Sequence, residues 1–290
     1  MRRIKIQASI ILLLVAGNAF GVNRDSVLID AVKKFIVSES QFKLGKRFYT
    51  RWSKTNKPYI NLYISSSDKV ESPINVTYTG FGTNEEAAHE QAAKHEALGH
   101  HAFVYKTYAT SSAELNERFL SYPEEAKYFI ILHEFIHHFM SDLRSRIPYD
   151  FEEAIGDVVG NYGAIEFMQQ LDDANLKSIH KQKLRNERIY KVINKTTEVI
   201  NRKPGKANEL NLKCQKRIER VLAHGDQFQK DRFGYPVNNA YLLKNRFYSE
   251  NYFALRKLYK KTETLKDFLN IIKTGPADPE KFGAYIDGLL

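Results

Sequence analysis

The sequence predicts an α+β protein: a small N-terminal β-sheet with one helix packed on it, followed by a mainly α-helical region. Three observations lead there. Two runs with β-branched and aromatic alternation, "PYINLYISS" and "HHAFVYKTYATS", flank an alanine-rich stretch of helical character. From Ser121 onward the chain reads as successive helices separated by short breaks. The 290 residues, 43% of them hydrophobic, suffice for one sizeable core or two modest ones, without collagenous or low-complexity composition.

The opening residues, "MRRIKIQASIILLLVAGNAFGVNRDS", read as an export signal. Arg2, Arg3 and Lys5 make a positive start, Ala8 to Val15 is almost wholly apolar, and small residues place the cut after Ala19 or Gly21. The apolar run is shorter than the ~20 residues that span a bilayer, so residues 1–21 are expected to be removed rather than kept as an anchor. A lipid anchor requires a cysteine just after the signal, and the single cysteine, Cys214, lies far downstream. The expected mature chain is therefore periplasmic or secreted, without a membrane anchor or an internal disulfide.

Residues 22–120 are expected to form the α/β part. An amphipathic helix is predicted over 26–44, and "INVTYTGF" reads as a further strand. Thr83 and Glu86 make a capping box for "TNEEAAHEQAAKHEALG", which Gly99 ends, so 58–112 reads as a sheet carrying a helix. Residues 121–290 are expected to form the helical part as one compact unit. Ser121 is the N-cap candidate of its first helix, with Pro123 in the first turn, running to about Leu143 before the break at Pro148. A second helix starts near Asp150 and continues through "FEEAIGDVVGNYGAIEFMQQL". Two long polar helices follow, parted at Pro204 and Gly205, and then "YPVNNAYLLKNRFYSENYFALRKLY" and "TLKDFLNIIK" complete the helical part.

The formal charge is +10, and between Lys177 and Arg220 there are 14 Lys/Arg against 4 Glu, a difference equal to that whole excess. Such a segment suits nucleic acid or an anionic surface, but it lacks interleaved aromatics and any nucleic-acid-binding module. A solvated helical hairpin is expected, with no nucleic-acid partner.

The chemistry concentrates in "ILHEFIHHFM". His133 and His137 are four apart, hence neighbours on one helix face, and both imidazoles can reach a single zinc ion at about 2.0–2.1 Å. Glu134 lies beside the first and can take a proton from a water, which completes an H-E-x-x-H pattern of two ligands and a general base. Ile130, Ile131, Leu132, Phe135 and Ile136 supply a dry wall. In "HEALGH", by contrast, His95 and His100 are five apart and point away from each other. These two, with His89 and His101, are expected to be surface or sheet residues. The third metal ligand is expected to be Glu153, with Asp157 one turn on to hold the free N–H of a ligating imidazole. Glu152, about 100° around that helix, is the rival ligand. Gly156, Gly160 and Gly163 bare the helix for close packing.

H-E-x-x-H followed by "EAIGD" on the next helix resembles the thermolysin-type gluzincins. More of the chain resembles a bacterial family of predicted zinc aminopeptidases, through "YTGFGTNEEAAHEQAAKHEALGHHAFVYKTYATS", "IILHEFIHHF", "FEEAIGDVVGNYGAIEF" and "VNNAYLLKNRFY". The resemblance implies a gluzincin-like catalytic region in which His133, His137 and Glu153 bind Zn2+ and Glu134 is the base. It departs from the family's usual asparagine at Glu152.

The expected function is a zinc metallopeptidase, an aminopeptidase acting on peptide substrates. An exported endopeptidase acting on proteins or the cell envelope is the alternative, and a non-catalytic binder using the basic face is a second. Tyr248, with Tyr241 behind it, is the candidate donor to the developing oxyanion. Glu152 or carbonyls near "TYATSS" would meet a substrate's free amine, and His138 is expected to face solvent or groups behind the ligands.

Overall fold

The computed structural model describes residues 24–46, 48–53, 57–74, 78–108, 114–142, 147, 149–171 and 176–290. The expected export signal, residues 1–21, lies outside them. Among the described residues no helix is long and apolar enough to cross a membrane. The chain runs through α1 (Arg24–Ser40), strands β1 (Tyr59–Ser65) and β2 (Thr79–Gly80), α2 (Glu85–Ala97) and strand β3 (His101–Thr107). Next come α3 (Glu117–Ser121), α4 (Glu124–Asp142), α5 (Tyr149–Val158), a π-helical turn (Val159–Gly163) and α6 (Ala164–Leu171). The long α7 (Leu176–Arg202) and α8 (Ala207–Leu222) precede α9 (Gln227–Phe233), α10 (Asn239–Ser249), α11 (Tyr252–Thr262), α12 (Leu265–Thr274) and α13 (Pro279–Leu289). The fold is α+β, as the sequence predicts.

The chain divides into two compact units. One comprises Met1–Ser53, Ala109–Lys181 and Tyr252–Leu290, and the other Lys54–Tyr108 and Gln182–Asn251. The sequence suggested a single break near residue 120. Apolar periodicity marks which face of an element is buried, not which distant segment buries it, so a chain that leaves and re-enters each unit is invisible to it.

In the second unit the strands form an antiparallel sheet in the order β2-β1-β3. The register pairs Leu62 with Val104 and Ile64 with Ala102. Alternation therefore puts these four on one face, where they cluster with Ala92 of α2. On the opposite face Phe103 meets the Tyr241 ring of α10 at 5.4 Å and Tyr235 at 5.2 Å. The "VNNAY" segment fixes that helix: Asn238 caps it by accepting from Tyr241 N and donates to the Ala102 carbonyl at 2.8 Å. Asn239 donates to the Ser66 carbonyl at 3.0 Å. The basic segment forms α7 and α8, joined at Pro204, and Arg188, Lys191, Lys195, Lys216 and Arg217 are solvent-exposed.

Several local expectations need correction. The N-cap of α2 is Asn84, which accepts from Ala87 N at 3.1 Å, so the helix begins one residue later than a Thr83 cap requires. Asn and Thr both cap well, and sequence alone did not separate neighbours. Ser121 ends α3 rather than capping α4; its hydroxyl donates to the Arg118 carbonyl. The chain then turns extended at Tyr122, and the Pro123 carbonyl accepts from Ala126 and Lys127 at the head of α4. Glu124 and Glu125 in that first turn suit the positive helix end. Of "INVTYTGF" only Thr79–Gly80 pairs as a strand, while residues 75–77 lie outside the described set.

The first unit is built round α4, whose Ile131, Leu132, Phe135 and Ile136 are fully buried. Phe42, beyond α1, sets its ring against Phe135 and Phe139. Lys127, buried near the start of α4, pairs with Asp25 of α1 at 2.6 Å. The helix predicted from Asp150 through Leu171 is interrupted by the π-helical turn, whose Asn161 side chain donates to the Asp157 carbonyl at 2.9 Å. Close approach to α4 runs along two of the three glycines. A Cβ at Gly160 would stand 2.8 Å from the Phe129 ring and 3.0 Å from the Phe129 carbonyl, whereas one at Gly163 would meet nothing closer than 3.6 Å. Gly160→Ala is therefore expected to destabilise the protein by about 1–3 kcal/mol through overpacking. Gly163→Ala should be neutral or stabilising, by up to about 1 kcal/mol from helix propensity. Denaturant unfolding of the two variants side by side checks this.

Candidate metal centre

Two neighbouring helices of the first unit supply every side chain of the centre. On α4 the i, i+4 spacing sets His133 above His137, with ring centroids 5.2 Å apart. On α5, Glu152, Glu153 and Asp157 face them. His133 Nε2 lies 3.3 Å from Glu153 Oε2, and His137 Nε2 lies 3.9 Å from Glu153 Oε1. The other nitrogen of each ring is also held: His133 Nδ1 is 3.0 Å from Asp157 Oδ1, and His137 Nδ1 is 2.6 Å from Glu152 Oε1. The result is an alternating row, Glu152–His137–Glu153–His133–Asp157. Adjacent residues on a helix diverge by about 100°, which lets Glu152 and Glu153 straddle a single imidazole.

His133, His137 and Glu153 each offer a ligand atom, all within 4.8 Å of one another, and together could hold a metal ion. In tetrahedral coordination at about 2.1 Å, ligand atoms stand about 3.4 Å apart. The contact from His133 Nε2 to Glu153 Oε2 has about that length, while His137 Nε2 faces the other oxygen, Oε1, at 3.9 Å and would have to approach by a few tenths of an ångström. Glu152 meets the outer nitrogen of His137, so Glu153 rather than its rival faces both inner nitrogens.

Electrostatics ask for positive charge here. Burial by itself lowers the His133 pKa, but hydrogen bonds and charge from Asp157 and Glu153 overcome that and carry it up to about 10. His137 behaves alike: burial lowers it, while Glu153, the Glu152 hydrogen bond and Glu134 raise it to a net upward shift. Buried carboxylates are costly without compensation, and Glu134, Glu153 and Asp157 are all buried. A divalent cation held by His133, His137 and Glu153 would meet that demand and would leave the imidazoles neutral, as ligation requires.

The walls are apolar. Phe129, one turn before His133, stacks on its ring at 5.9 Å. Gly156 lies so close that a Cβ would stand 2.8 Å from His133 Cε1 and Nδ1. His138 turns away from the row and meets the Phe48 ring edge-on at 5.0 Å.

The sequence did not single out Tyr49. It is buried, its ring tilted against that of Phe119 at 5.1 Å, and it adopts a left-handed backbone (φ 49°) that bulky residues rarely take. Burial first, and then the Glu134 charge, pushes its hydroxyl pKa up. It comes from 85 residues before Glu134 in a stretch without a motif, so no spacing rule points to it. Glu152's hold on His137 was also not foreseen; the cue was a second carboxylate directly beside the ligand.

Tyr248 and Tyr241 belong to the second unit. Tyr248 packs its ring against Lys244 Nζ at 4.5 Å and Arg232 Cζ at 4.7 Å. Tyr241 is fully buried and donates its hydroxyl to the Phe233 carbonyl at 3.0 Å. His95 and His100 stack on each other at 5.8 Å, and His101 lies on β3.

No family model, curated protein or solved structure matches this chain.

Gly156→Ala should displace the His133 ring from Asp157 and weaken divalent-metal affinity by about 10–100-fold, as loss of an outer carboxylate contact does. Competition with a chromophoric chelator measures it. Unchanged affinity would show that the ring is not held where the row places it.

Proposed function

We propose that this protein is a zinc metallopeptidase of the aminopeptidase type. The observation that carries the reading is the His133–His137–Glu153 cluster with Glu134 buried beside it on the same helix. Two histidines and one carboxylate also serve iron oxygenases. A buried glutamate between the two ligand histidines, at the place of a general base, favours hydrolysis.

Zinc bound at such a three-residue site polarises a carbonyl and acidifies a water molecule. Glu134 accepts the proton of the attacking water and delivers it to the leaving amine. Its burial excludes competing solvent and keeps the carboxylate close to the reacting atoms. His133 and His137 hold their inner nitrogens toward Glu153 because Asp157 and Glu152 take the outer ones. The apolar flank of α4 keeps the dielectric low, so each of these contacts acts more strongly than in water. Export to the periplasm or medium, and action on peptides with a free amino end, complete the reading.

Glu134→Gln should retain metal and lose hydrolysis by about 10²–10⁴-fold, whereas His137→Ala should lose both. Elemental analysis of the purified protein and assays on unblocked and amino-blocked peptides check this. Equal turnover of blocked peptides would move the assignment to an endopeptidase. Full activity in Glu134→Gln would overturn the mechanism.

Removing the metal with a chelator should lower the melting temperature, since an ion that binds only the folded state at 100 times its Kd stabilises by about 2.7 kcal/mol. Restoring zinc should recover it. A melt indifferent to both would speak against a metal at these residues.

A further inference from the structure

We propose that Glu152 is a positioning residue of the metal centre whose negative charge tightens the hold of His137 on the ion. The inference rests on the metal-centre reading and adds to it the outer partner of the second ligand.

The contact is short, 2.6 Å between His137 Nδ1 and Glu152 Oε1, just under the roughly 2.7–2.9 Å usual for charge-assisted N–H···O hydrogen bonds. With the proton of His137 on Nδ1, its Nε2 lone pair is left for a cation, on the side where Glu153 stands. The tautomer and the ring direction are thus set by one contact. A carboxylate also polarises the ring more than an amide would and makes Nε2 the better donor.

The two ends of the row differ. Asp157 is fully buried and fixed behind His133, with its carbonyl taken by Asn161. The Glu152 side chain is 24% exposed and that of His137 15%, against 9% for His133. The Glu152 end therefore faces water. There a neutral imidazole has the most freedom to turn, and an orienting partner matters most. Exposure also means that Glu152 can be replaced without opening the core.

The test uses the whole mature protein, titrated with zinc against a chromophoric chelator, together with the visible spectrum of the cobalt(II)-loaded form. A graded series is expected: Glu152→Ala weakens zinc by about 10–100-fold, and Glu152→Gln by about 3–10-fold, because its amide oxygen keeps the hydrogen bond without the charge. The cobalt bands should shift in both variants, while metal-free unfolding stays near that of the parent. Affinity in Glu152→Ala equal to the parent overturns the proposal. So does Glu152→Gln matching the parent, since charge would then contribute nothing. His137→Ala is the control: if the parent binds zinc and His137→Ala does not, a flat Glu152 series sinks this inference alone. If His137→Ala binds as well as the parent, the metal-centre reading falls with it.

Discussion

The first unit depends on an alternation of acids and imidazoles between two helices. Glu152, His137, Glu153, His133 and Asp157 follow one another at 2.6, 3.9, 3.3 and 3.0 Å. Each ring lies between two carboxylates, and the central carboxylate lies between two rings. None of these groups is tolerable alone in an apolar interior, and together they satisfy one another's directions while leaving a surplus of negative charge. A cation held by His133, His137 and Glu153 would offset that surplus.

Such a row needs close contact between the two helices, and the backbone provides for it. Gly156 admits the His133 ring and Gly160 admits Phe129, each at distances a methyl group would violate. The π-helical turn follows directly, with Asn161 satisfying the Asp157 carbonyl where the α-helical ladder changes pitch. π-turns are uncommon and concentrate at functional sites. Here the turn sits next to the residue that holds His133, so local geometry and site chemistry are joined at one point. Burial of Ile131, Leu132, Phe135 and Ile136 then fixes α4, so the spacing of His133 and His137 is held by packing along the apolar side of the helix.

The second unit shows a different economy. Its sheet is covered on one face by the alanine-rich α2 and on the other by aromatic contacts from α10. Asn238 and Asn239 tie α10 to β3 and to the residue just after β1 through backbone carbonyls rather than through charge. These contacts account for the "VNNAY" stretch in structural terms. Tyr241 likewise serves packing, its hydroxyl spent on a backbone carbonyl.

The sequence by itself determined the α+β class, the helical identity of nearly every long segment, and the pairing of His133 with His137, because these follow from spacings of two, three and four residues along one chain. It also pointed to Glu153 over Glu152, a choice made by which side of a helix each occupies. Tertiary structure alone decided the rest. The partner of His137 depends on how α4 and α5 face each other, and the presence of Tyr49 near Glu134 depends on a left-handed turn far upstream. The grouping of segments into two units depends on which buried face meets which. Hydrophobic pattern says that a face must be covered. Only the packed chain, where directional contacts must all be satisfied at once, says by what.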